Sequence, residues 1–333
     1  MARIALDAMG GDHAPSETVA GAIDAAARGV DVVLVGTRGQ LETELTKHES
    51  NLPIVDAPDV IGMADDPARA LREKPNASIT VCAKLVAGGE ADGFVSAGST
   101  GAAMAAAAII IGRIEGVARP AIATIFPTAG TPTLVLDSGA NPEAKAAQLA
   151  QFAIMGSVAA GALLDASPAR VGLLSIGEEK GKGRDIDRQA YDLIESGPVE
   201  FVGNVEGRDV ATDKVDVIVT DGFTGNVFLK TTEGTAALVS SYMRKAISGL
   251  PEEIQKRVMP ALVEVRDKMD WETYGGAQLL GVRGAALIAH GSSSRKAIAN
   301  ALVMAHDSAD KDLPGRIASA IHGSGETQAA RTS

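Results

Sequence analysis

The sequence contains few aromatic residues, a single cysteine and no excess of positive charge. Aromatic residues make up 3% of the 333 residues, which argues against a surface that stacks the bases of single-stranded nucleic acid. The net charge of −11 argues against nonspecific polyanion binding, because phosphate contacts need a basic surface. One cysteine forms no internal disulfide, which fits a reducing compartment. Cys82 would be either a nucleophile or, more commonly for a lone cysteine in a helical pattern, a packing residue.

The sequence also lacks a long hydrophobic run and an N-terminal targeting pattern. Its most apolar run, Gly101 to Ile111, is shorter than the ~20 residues that span a bilayer, so it predicts a buried helix. The chain passes from Met1 directly into a strand pattern, and we therefore expect no secretion signal. These features favour a cytoplasmic protein.

Apolar strand patterns alternate with helical patterns along most of the chain. This alternation predicts an α/β fold, with a doubly wound, mostly parallel sheet and helices on both faces. Residues 121–126 and 133–136 flank a Pro/Gly turn and predict a β-hairpin. No linker-like composition divides the chain, so we expect one catalytic unit over residues 1–322 and a flexible tail over 323–333.

Polar residues and glycines follow most of the predicted strands. A doubly wound sheet brings such turns to one edge, where α/β proteins bind ligands and glycine lets N–H groups approach an anion. The stretch from Thr220 to Asn226 shows this pattern most fully. A simpler interpretation makes Thr224 a helix cap and Gly222 a turn residue. The residues that open these turns are Asp7, Ser96, Asp137, Gly177, Asn204, Asp221 and His290.

Several common catalytic motifs are missing. The sequence has no P-loop, no G-x-G-x-x-G fingerprint and no G-x-S-x-G elbow, and its five histidines lack metal-ligand spacing. We therefore expect no cofactor and no metal, although acidic residues at the cleft leave a divalent ion as an open alternative. The polar and glycine residues of the loops favour binding of a small oxyanion such as phosphate. Loop amides with Ser96, Ser99, Thr100 and Lys182 would hold it, and its own oxygen would be the nucleophile.

An ordered set of motifs runs from Asp7 to about Asn300. The motifs are Asp7–Asp12, Ser96–Gly98, Thr100–Ala102, Asp137 with Gly139–Asn141, Ile176–Glu178, Lys182–Gly183, Asn204 with Glu206–Asp209, Asp221–Phe223, Gly225–Asn226, Tyr274–Ala277 and His290–Gly291. No single motif is specific, but the ordered set resembles one bacterial family, the acyl-ACP:phosphate acyltransferases (PlsX proteins) of phospholipid synthesis.

The resemblance implies a reaction and a set of partners. A long-chain acyl thioester of acyl carrier protein and inorganic phosphate would give acyl phosphate and the free carrier thiol. The fold would be related to phosphate acetyltransferases and to the isocitrate dehydrogenase type. The resemblance further implies a homodimer, peripheral contact with the inner membrane, and possible contact with the glycerol-3-phosphate acyltransferase that consumes acyl phosphate.

Roles for individual residues follow from the resemblance and from their chemistry. Lys182 and Asn226 would stabilise phosphate or the oxyanion, Asp221 lies beside them, and His290 or His13 would protonate the leaving thiolate. The family usually has Asn where this chain has Ser99 and Arg184. The further substrate-binding candidates are Asp7, Gly10, Gly11, His13, Ser96, Gly98, Ser99, Thr100, Gly101, Asp137, Asn141, Gly177, Glu178, Asn204, Glu206, Gly222 and Gly225.

Two amphipathic helices are predicted over about 235–270. Their apolar residues recur at helical spacing, which is typical of packing against the body or a second subunit. Leu250 at the tip, with Lys245, Lys256 and Arg257 nearby, would contact an anionic membrane or the acidic carrier protein.

Other functions stay open at this stage. An enzyme related to phosphate acetyltransferases or to dehydrogenases fits the same fold, and a dehydrogenase would show nicotinamide absorbance changes and metal dependence. A non-catalytic module would bind the carrier protein or a membrane without turnover. The transferase alone predicts phosphate-dependent loss of thioester.

Overall fold

Alternating strands and helices form a single mixed sheet in the computed structural model, which describes residues 1–128, 130–269 and 271–332. The strands are β1 Arg3–Asp7, β2 Asp31–Gly36, β3 Ile54–Asp56, β4 Gly93–Ser96, β5 Ala121–Phe126, β6 Thr133–Leu136, β7 Arg170–Leu174, β8 Glu200–Val205, β9 Val217–Val219, β10 Ala277–Leu280 and β11 Ala285–Ile288. The helices are α1 Ser16–Ala27, α2 Arg38–Lys47, α3 Pro67–Glu73, α4 Ser78–Ala87, α5 Thr100–Ala106, α6 Ala146–Leu163, α7 Asp185–Glu195, α8 Gly222–Ser248, α9 Glu252–Met269, α10 Arg295–Asp310 and α11 Leu313–Thr332. A π-helix covers Ala107–Gly112, and 3₁₀ turns cover Gly207–Ala211 and Trp271–Tyr274.

The strands of the sheet fall into two parallel groups. Their order is β3-β2-β1-β4-β11-β10-β5-β6-β9-β7-β8. The first five strands run parallel, and so do the last four, whereas β10 and β5 join the groups through three antiparallel pairings. The predicted hairpin is the β5–β6 pair. The sequence prediction of a mostly parallel α/β sheet is confirmed.

Strand direction corrects one expectation. Because an odd number of antiparallel pairings separates the two groups, their carboxyl ends lie at opposite edges of the sheet and not at one edge. Edge A is the edge where β1, β4 and β11 end, at Asp7, Ser96 and Ile288. Edge B is the edge where β6, β7, β8 and β9 end, at Leu136, Leu174, Val205 and Val219.

Helices cover both faces of the sheet. On β1, Ile4 and Leu6 lie in a core with α1 and α10, while Ala5 lies in a second core with α4. This alternation has the period of two that a strand imposes on its side chains. The helix α6 is apolar and long enough to cross a membrane, and within the described residues it alone meets that test. Half of it is buried, with Leu149, Phe152 and Met155 in the largest core, as in a core helix.

The helical pair differs from the prediction. Its first helix, α8, begins at Gly222, so 27 residues run without a break from edge B to the tip. The sequence predicted a helix start near Thr224 and a separate helical pair over about 235–270, whereas the structure joins the two into one helix. In α8 only Gly222 and Gly225 are buried. The exposed apolar side chains include Leu238, Val239, Tyr242, Ile254, Met259 and Val263. Packing against the body therefore does not explain this stripe, and the predicted end at Asp270 lies outside the described residues.

The C-terminal segment continues as helix α11 to Thr332. The sequence instead predicted a tail without regular structure from residue 323, on the basis of its small polar residues. That segment contains no proline to end the helix. Flexibility of residues 323–333 stays a prediction.

Candidate functional site

The helix α8 begins directly at edge B, and its cap is Asp221. The Oδ1 atom of Asp221 accepts a hydrogen bond from the N–H of Thr224 at 2.8 Å, and Oδ2 accepts one from the Thr224 hydroxyl at 3.1 Å. An aspartate at this position satisfies one of the free N–H groups of the first turn. Thr224 is thus the donor to the cap, where the simpler sequence interpretation made it the cap.

The two glycines at the start of α8 are required by close packing. A Cβ atom at Gly222 would lie 2.8 Å from both N and O of Asn141. At Gly225 it would clash with the carbonyl oxygen of Asp137. The N–H of Gly222 also donates to the Asn141 carbonyl at 2.8 Å. These glycines bring α8 against the β6 loop, which is a different role from the predicted approach to an anion.

The carboxylate of Asp137 is saturated by its own loop. Oδ1 accepts from the N–H groups of Ile122, Gly139 and Ala140 at 3.0, 3.1 and 2.9 Å. Oδ2 accepts from N and Nδ2 of Asn141 at 2.7 and 2.8 Å. Five donors leave this carboxylate little capacity for a ligand. Asp137 and Asn141 therefore shape the loop that supports α8.

Asn226 lies at the surface of this arrangement. A Cβ atom at Gly139 would lie 3.7 Å from the Cβ and Oδ1 atoms of Asn226, so the side chain covers the β6 loop. Asn226 is exposed, and its amide bonds to none of the described residues. It is available as a neutral donor at edge B.

The loop between β7 and α7 carries two lysines in different environments. Lys180 pairs with Asp192 and Glu195 at 3.0 and 2.6 Å, and its ammonium lies 4.9 Å from the ring centroid of Tyr191. Lys182 is exposed and pairs with no carboxylate in the part of the chain that the structure describes. Its stem lies against Gly177, where a Cβ atom would come within 3.0 Å. Lys182 is therefore the available cation of this loop.

Arg184 joins this loop to the start of α8. Its Nε and Nη2 atoms donate to Asp187 at 3.0 and 2.8 Å, and Nη2 also donates to Asp221 at 2.5 Å. Burial would raise the pKa of Asp221, but the Thr224 N–H, the Arg184 guanidinium and the Thr224 hydroxyl hold it below its ordinary value. Sequence reasoning missed Asp187. Arg184 is the last residue before α7, and Asp187 follows it by three residues. This spacing of an acid after the cap is that of a capping box, and it could have identified Asp187 from the sequence.

The other candidates at edge B take part in local contacts. Glu178 pairs with Lys214 at 2.6 Å, and Glu206 pairs with Arg208 at 2.7 Å. The buried Asn204 donates to the carbonyl of Glu179 at 2.9 Å, while its Oδ1 has no partner among the described residues. Asn204 thus fixes the turn that leads to Lys182.

At edge A the polar groups bond chiefly to one another. The strand register places Asp7 beside Ser96, and the Ser96 hydroxyl donates to Oδ2 of Asp7 at 2.7 Å. The same hydroxyl accepts from the N–H of Gly98 at 3.1 Å. A Cβ atom at Gly10 would lie 2.6 Å from Oδ2 of Asp7. Burial raises the pKa of Asp7, and its Oδ1 has no partner among the described residues.

The residues after Ser96 form the start of α5. Ser99 is its cap and accepts a long hydrogen bond of 3.4 Å from the N–H of Ala102. Gly101 lies against Pro67, where a Cβ atom would come within 2.7 Å of Cγ. Thr100 opens the helix and is exposed. Ser99 therefore has a structural role whether or not it also contacts a substrate.

Both predicted proton donors lie at edge A and are exposed. The Nδ1 atom of His290 lies 2.8 Å from the Ser292 hydroxyl and 3.2 Å from the Ser292 nitrogen. The loop of His13 and that of His290 meet, because the N–H of Asp12 donates to the Gly291 carbonyl at 2.7 Å. Gly11, at φ +108°, shapes this contact with a backbone conformation that favours glycine.

The single cysteine is a packing residue. Cys82 is fully buried in the core between α4 and the sheet, and burial raises the pKa of its thiol well above the ordinary value. A thiol of this kind does not supply a thiolate nucleophile at neutral pH. Within the described residues, no group of three or more His, Cys, Asp or Glu side chains has the geometry of a metal site.

The site thus consists of two groups. Edge A joins Asp7, Gly10, Gly11, Ser96, Gly98 and the His290 loop. Edge B joins Asp137, Asn141, Asp221, Gly222, Gly225 and Asn226 with the loop of Lys182. The structure does not bring the two groups to one edge of the sheet.

These features define the class of protein as an α/β protein of the phosphotransacetylase fold. A phosphotransacetylase from Streptococcus pyogenes superposes with a TM-score of 0.63 and 17% identity, over 93% of this chain and 94% of that chain. A 4-hydroxythreonine-4-phosphate dehydrogenase from Klebsiella pneumoniae gives a TM-score of 0.51 and 13% identity, over 92% and 97%. At these identities the likeness shows the fold alone, and it confirms the predicted architecture.

The family is shown by sequence. Residues 2–316 match the family described as fatty acid synthesis protein, and the chain belongs to that family. A phosphate acyltransferase from Desulforamulus reducens is 46% identical over 317 residues, covering 94% of this chain and 95% of the relative. One from Anaeromyxobacter sp. is 45% identical over 327 residues, covering 96% and 91%. The resemblance drawn from the motifs is thereby confirmed.

Proposed function

We propose that this chain is an enzyme that transfers an acyl group from a thioester to inorganic phosphate, the activity that names its relatives. The observation that supports it most directly is the pair of uncommitted donors at edge B. Lys182 offers an ammonium group without a carboxylate partner among the described residues, and Asn226 offers a neutral amide. Both lie next to strand-end loops that are already held rigid by their own hydrogen bonds. Such preorganised donors suit phosphate or an oxyanion.

The chemistry needs no enzyme nucleophile. An oxygen of hydrogen phosphate forms a bond to the thioester carbonyl carbon, and the carbon–sulfur bond then breaks. The proton that the reacting phosphate gives up balances the proton that the thiolate takes up, so the products are acyl phosphate and free thiol. Lys182 and Asn226 stabilise the charge that develops at edge B. His290 and His13 lie at the opposite edge, edge A, so we assign them no part in this step. The buried Cys82 takes no part.

We propose a long-chain acyl carrier protein thioester as the donor, for use in phospholipid synthesis. The test is release of thiol from palmitoyl carrier protein with and without phosphate, while hydroxylamine traps acyl phosphate. Strictly phosphate-dependent release with a trapped acyl product is expected. Release without phosphate would instead identify a thioesterase. A matched assay with palmitoyl coenzyme A measures the preference for carrier protein.

The helical pair is proposed to serve a homodimer and the membrane. Its exposed apolar stripe suits a second copy, and Leu250 at the tip is 39% exposed beside Lys245 and Lys256. A tip of this kind suits an anionic surface, and the contact would deliver acyl phosphate to the membrane acyltransferase that consumes it.

Liposome co-sedimentation tests the tip. We expect Leu250→Glu to reduce binding to anionic vesicles, because it places a negative charge at the proposed contact. Val60→Glu is the matched control, since Val60 is 40% exposed but lies outside the helical pair. Equal binding by both variants and the unmodified chain would remove the tip as an anchor.

A further inference from the structure

Arg184 occupies a position that connects the two loops of edge B. Gly183, at φ +94°, turns the chain before it, and Asp187 accepts from the Arg184 N–H at 2.8 Å at the start of α7. The guanidinium then lies between two acids, because Nη2 is 2.8 Å from Asp187 and 2.5 Å from Asp221. A single nitrogen thus bonds carboxylates from α7 and from the cap of α8.

The two acids are buried, whereas the arginine is not. The side chains of Asp187 and Asp221 are 7% and 4% exposed, and that of Arg184 is 56% exposed. Two buried carboxylates that share one partner would repel each other without it. The planar fork of arginine fixes both at once, which the point charge of lysine cannot reproduce.

We propose that Arg184 is a positioning residue that sets the distance between Lys182 and the start of α8, where Asn226 lies. This inference rests on the proposed function, since it concerns the same phosphate-handling loops. Lys182 is two residues before Arg184, and Asn226 is five residues after Asp221. The ion pair therefore connects the loop of Lys182 directly to the start of α8. A donor that no longer reaches phosphate weakens its binding by about tenfold or more, the usual contribution of one hydrogen bond to a charged group.

The test compares three variants of the full chain. Arg184→Gln removes the shared partner, and Arg184→Lys keeps the charge but not the fork. Arg188→Gln is the matched control, because Arg188, on α7, pairs with Asp185 and donates to the Gly183 carbonyl at 2.8 Å but does not contact Asp221. Steady-state kinetics with phosphate as the varied substrate separates KM from kcat.

Arg184→Gln should raise the KM for phosphate about tenfold or more, Arg184→Lys should restore part of it, and Arg188→Gln should stay within about twofold. A purely structural loss would lower the active fraction, and hence kcat, without this change in KM. Equal KM values for Arg184→Gln and Arg188→Gln would overturn the proposal.

A second readout does not depend on activity. Inorganic phosphate alone should raise the thermal midpoint of the unmodified chain and of Arg188→Gln, and should raise that of Arg184→Gln much less. Equal shifts in all three would contradict the role of Arg184. If the unmodified chain bound phosphate but transferred no acyl group, the proposed function would fail while this test of Arg184 remained valid.

Discussion

Edge A and edge B share one sequence pattern, in which polar residues and glycine follow an apolar strand. They differ in how many of their polar side chains already have hydrogen-bond partners. At edge A the Ser96 hydroxyl bonds both Asp7 and Gly98, and Gly10 lies against Asp7. At edge B the acids are also satisfied, yet a lysine and an asparagine remain without partners among the described residues. At both edges the glycines mark close approaches of chain segments, and the uncommitted donors are the basis on which we propose a site at edge B.

The comparison predicts that glycine at edge B acts mainly through packing. Gly225→Ala should lower the free energy of unfolding by about 3 kcal/mol, because its Cβ atom would meet backbone and not a movable side chain. Gly234→Ala in the same helix has open space and should be stabilising by up to about 1 kcal/mol. Urea unfolding of both variants measures the difference. Similar stabilities would show that α8 moves away from the Asp137 loop at no cost.

The second prediction concerns the two lysines of the β7–α7 loop. Lys182→Ala should reduce acyl phosphate formation about 10²- to 10³-fold, the usual effect of losing a preorganised charge-stabilising donor. Lys180→Ala removes a lysine committed to Asp192 and Glu195 and should change the rate by less than about threefold. Initial rates at saturating donor measure both. An undiminished rate for Lys182→Ala would exclude it from the site.

The third prediction uses the opposite pKa shifts of the two edges. The pKa of Asp7 is raised by burial, so its contribution to stability is present below about pH 3.8 and is lost as the pH rises through its folded pKa. The pKa of Asp221 is lowered, so its contribution is present above pH 3.8 and is lost as the pH falls through its folded pKa.

Asp7→Asn should therefore gain stability relative to the unmodified chain as the pH rises above 3.8. The deficit of Asp221→Asn should instead shrink as the pH falls below 3.8. Each slope is at most about 1.4 kcal/mol per pH unit. Chemical denaturation between pH 2.5 and 7 measures them, and parallel curves for the two variants would contradict the assignment.

The smallest expected effect is at the start of α5. The cap bond from Ala102 to Ser99 is 3.4 Å long, so Ser99→Ala should cost only about 0.5 kcal/mol of stability. Ser99→Asn, the residue usual in the family, serves as the comparison, because its longer side chain reaches the same N–H group. Thermal unfolding measures both. A loss well above 1 kcal/mol would show that Ser99 does more than cap the helix.

The sequence was sufficient for the α/β class, the β5–β6 hairpin and the family, because periodicity and ordered motifs are local properties. The sequence did not show that the strand ends lie at two opposite edges of the sheet, although the predicted hairpin already implied a change of strand direction. The roles of residues that contact distant parts of the chain were harder to predict from the sequence. Gly225 meets Asp137, and Arg184 meets Asp221, across 88 and 37 positions of sequence. The choice of Asp221 over Thr224 as cap likewise depends on where β9 ends.

Direct attack by phosphate, without an acyl-enzyme, is the central step of the proposed reaction. The most direct test is exchange of isotopically labelled free carrier protein into palmitoyl carrier protein in the absence of phosphate. A covalent intermediate would allow this exchange, because the acyl group could return from the enzyme to a labelled thiol. We predict no exchange until phosphate is added. Exchange without phosphate at the rate of turnover would contradict the account and would require a nucleophile other than the buried Cys82.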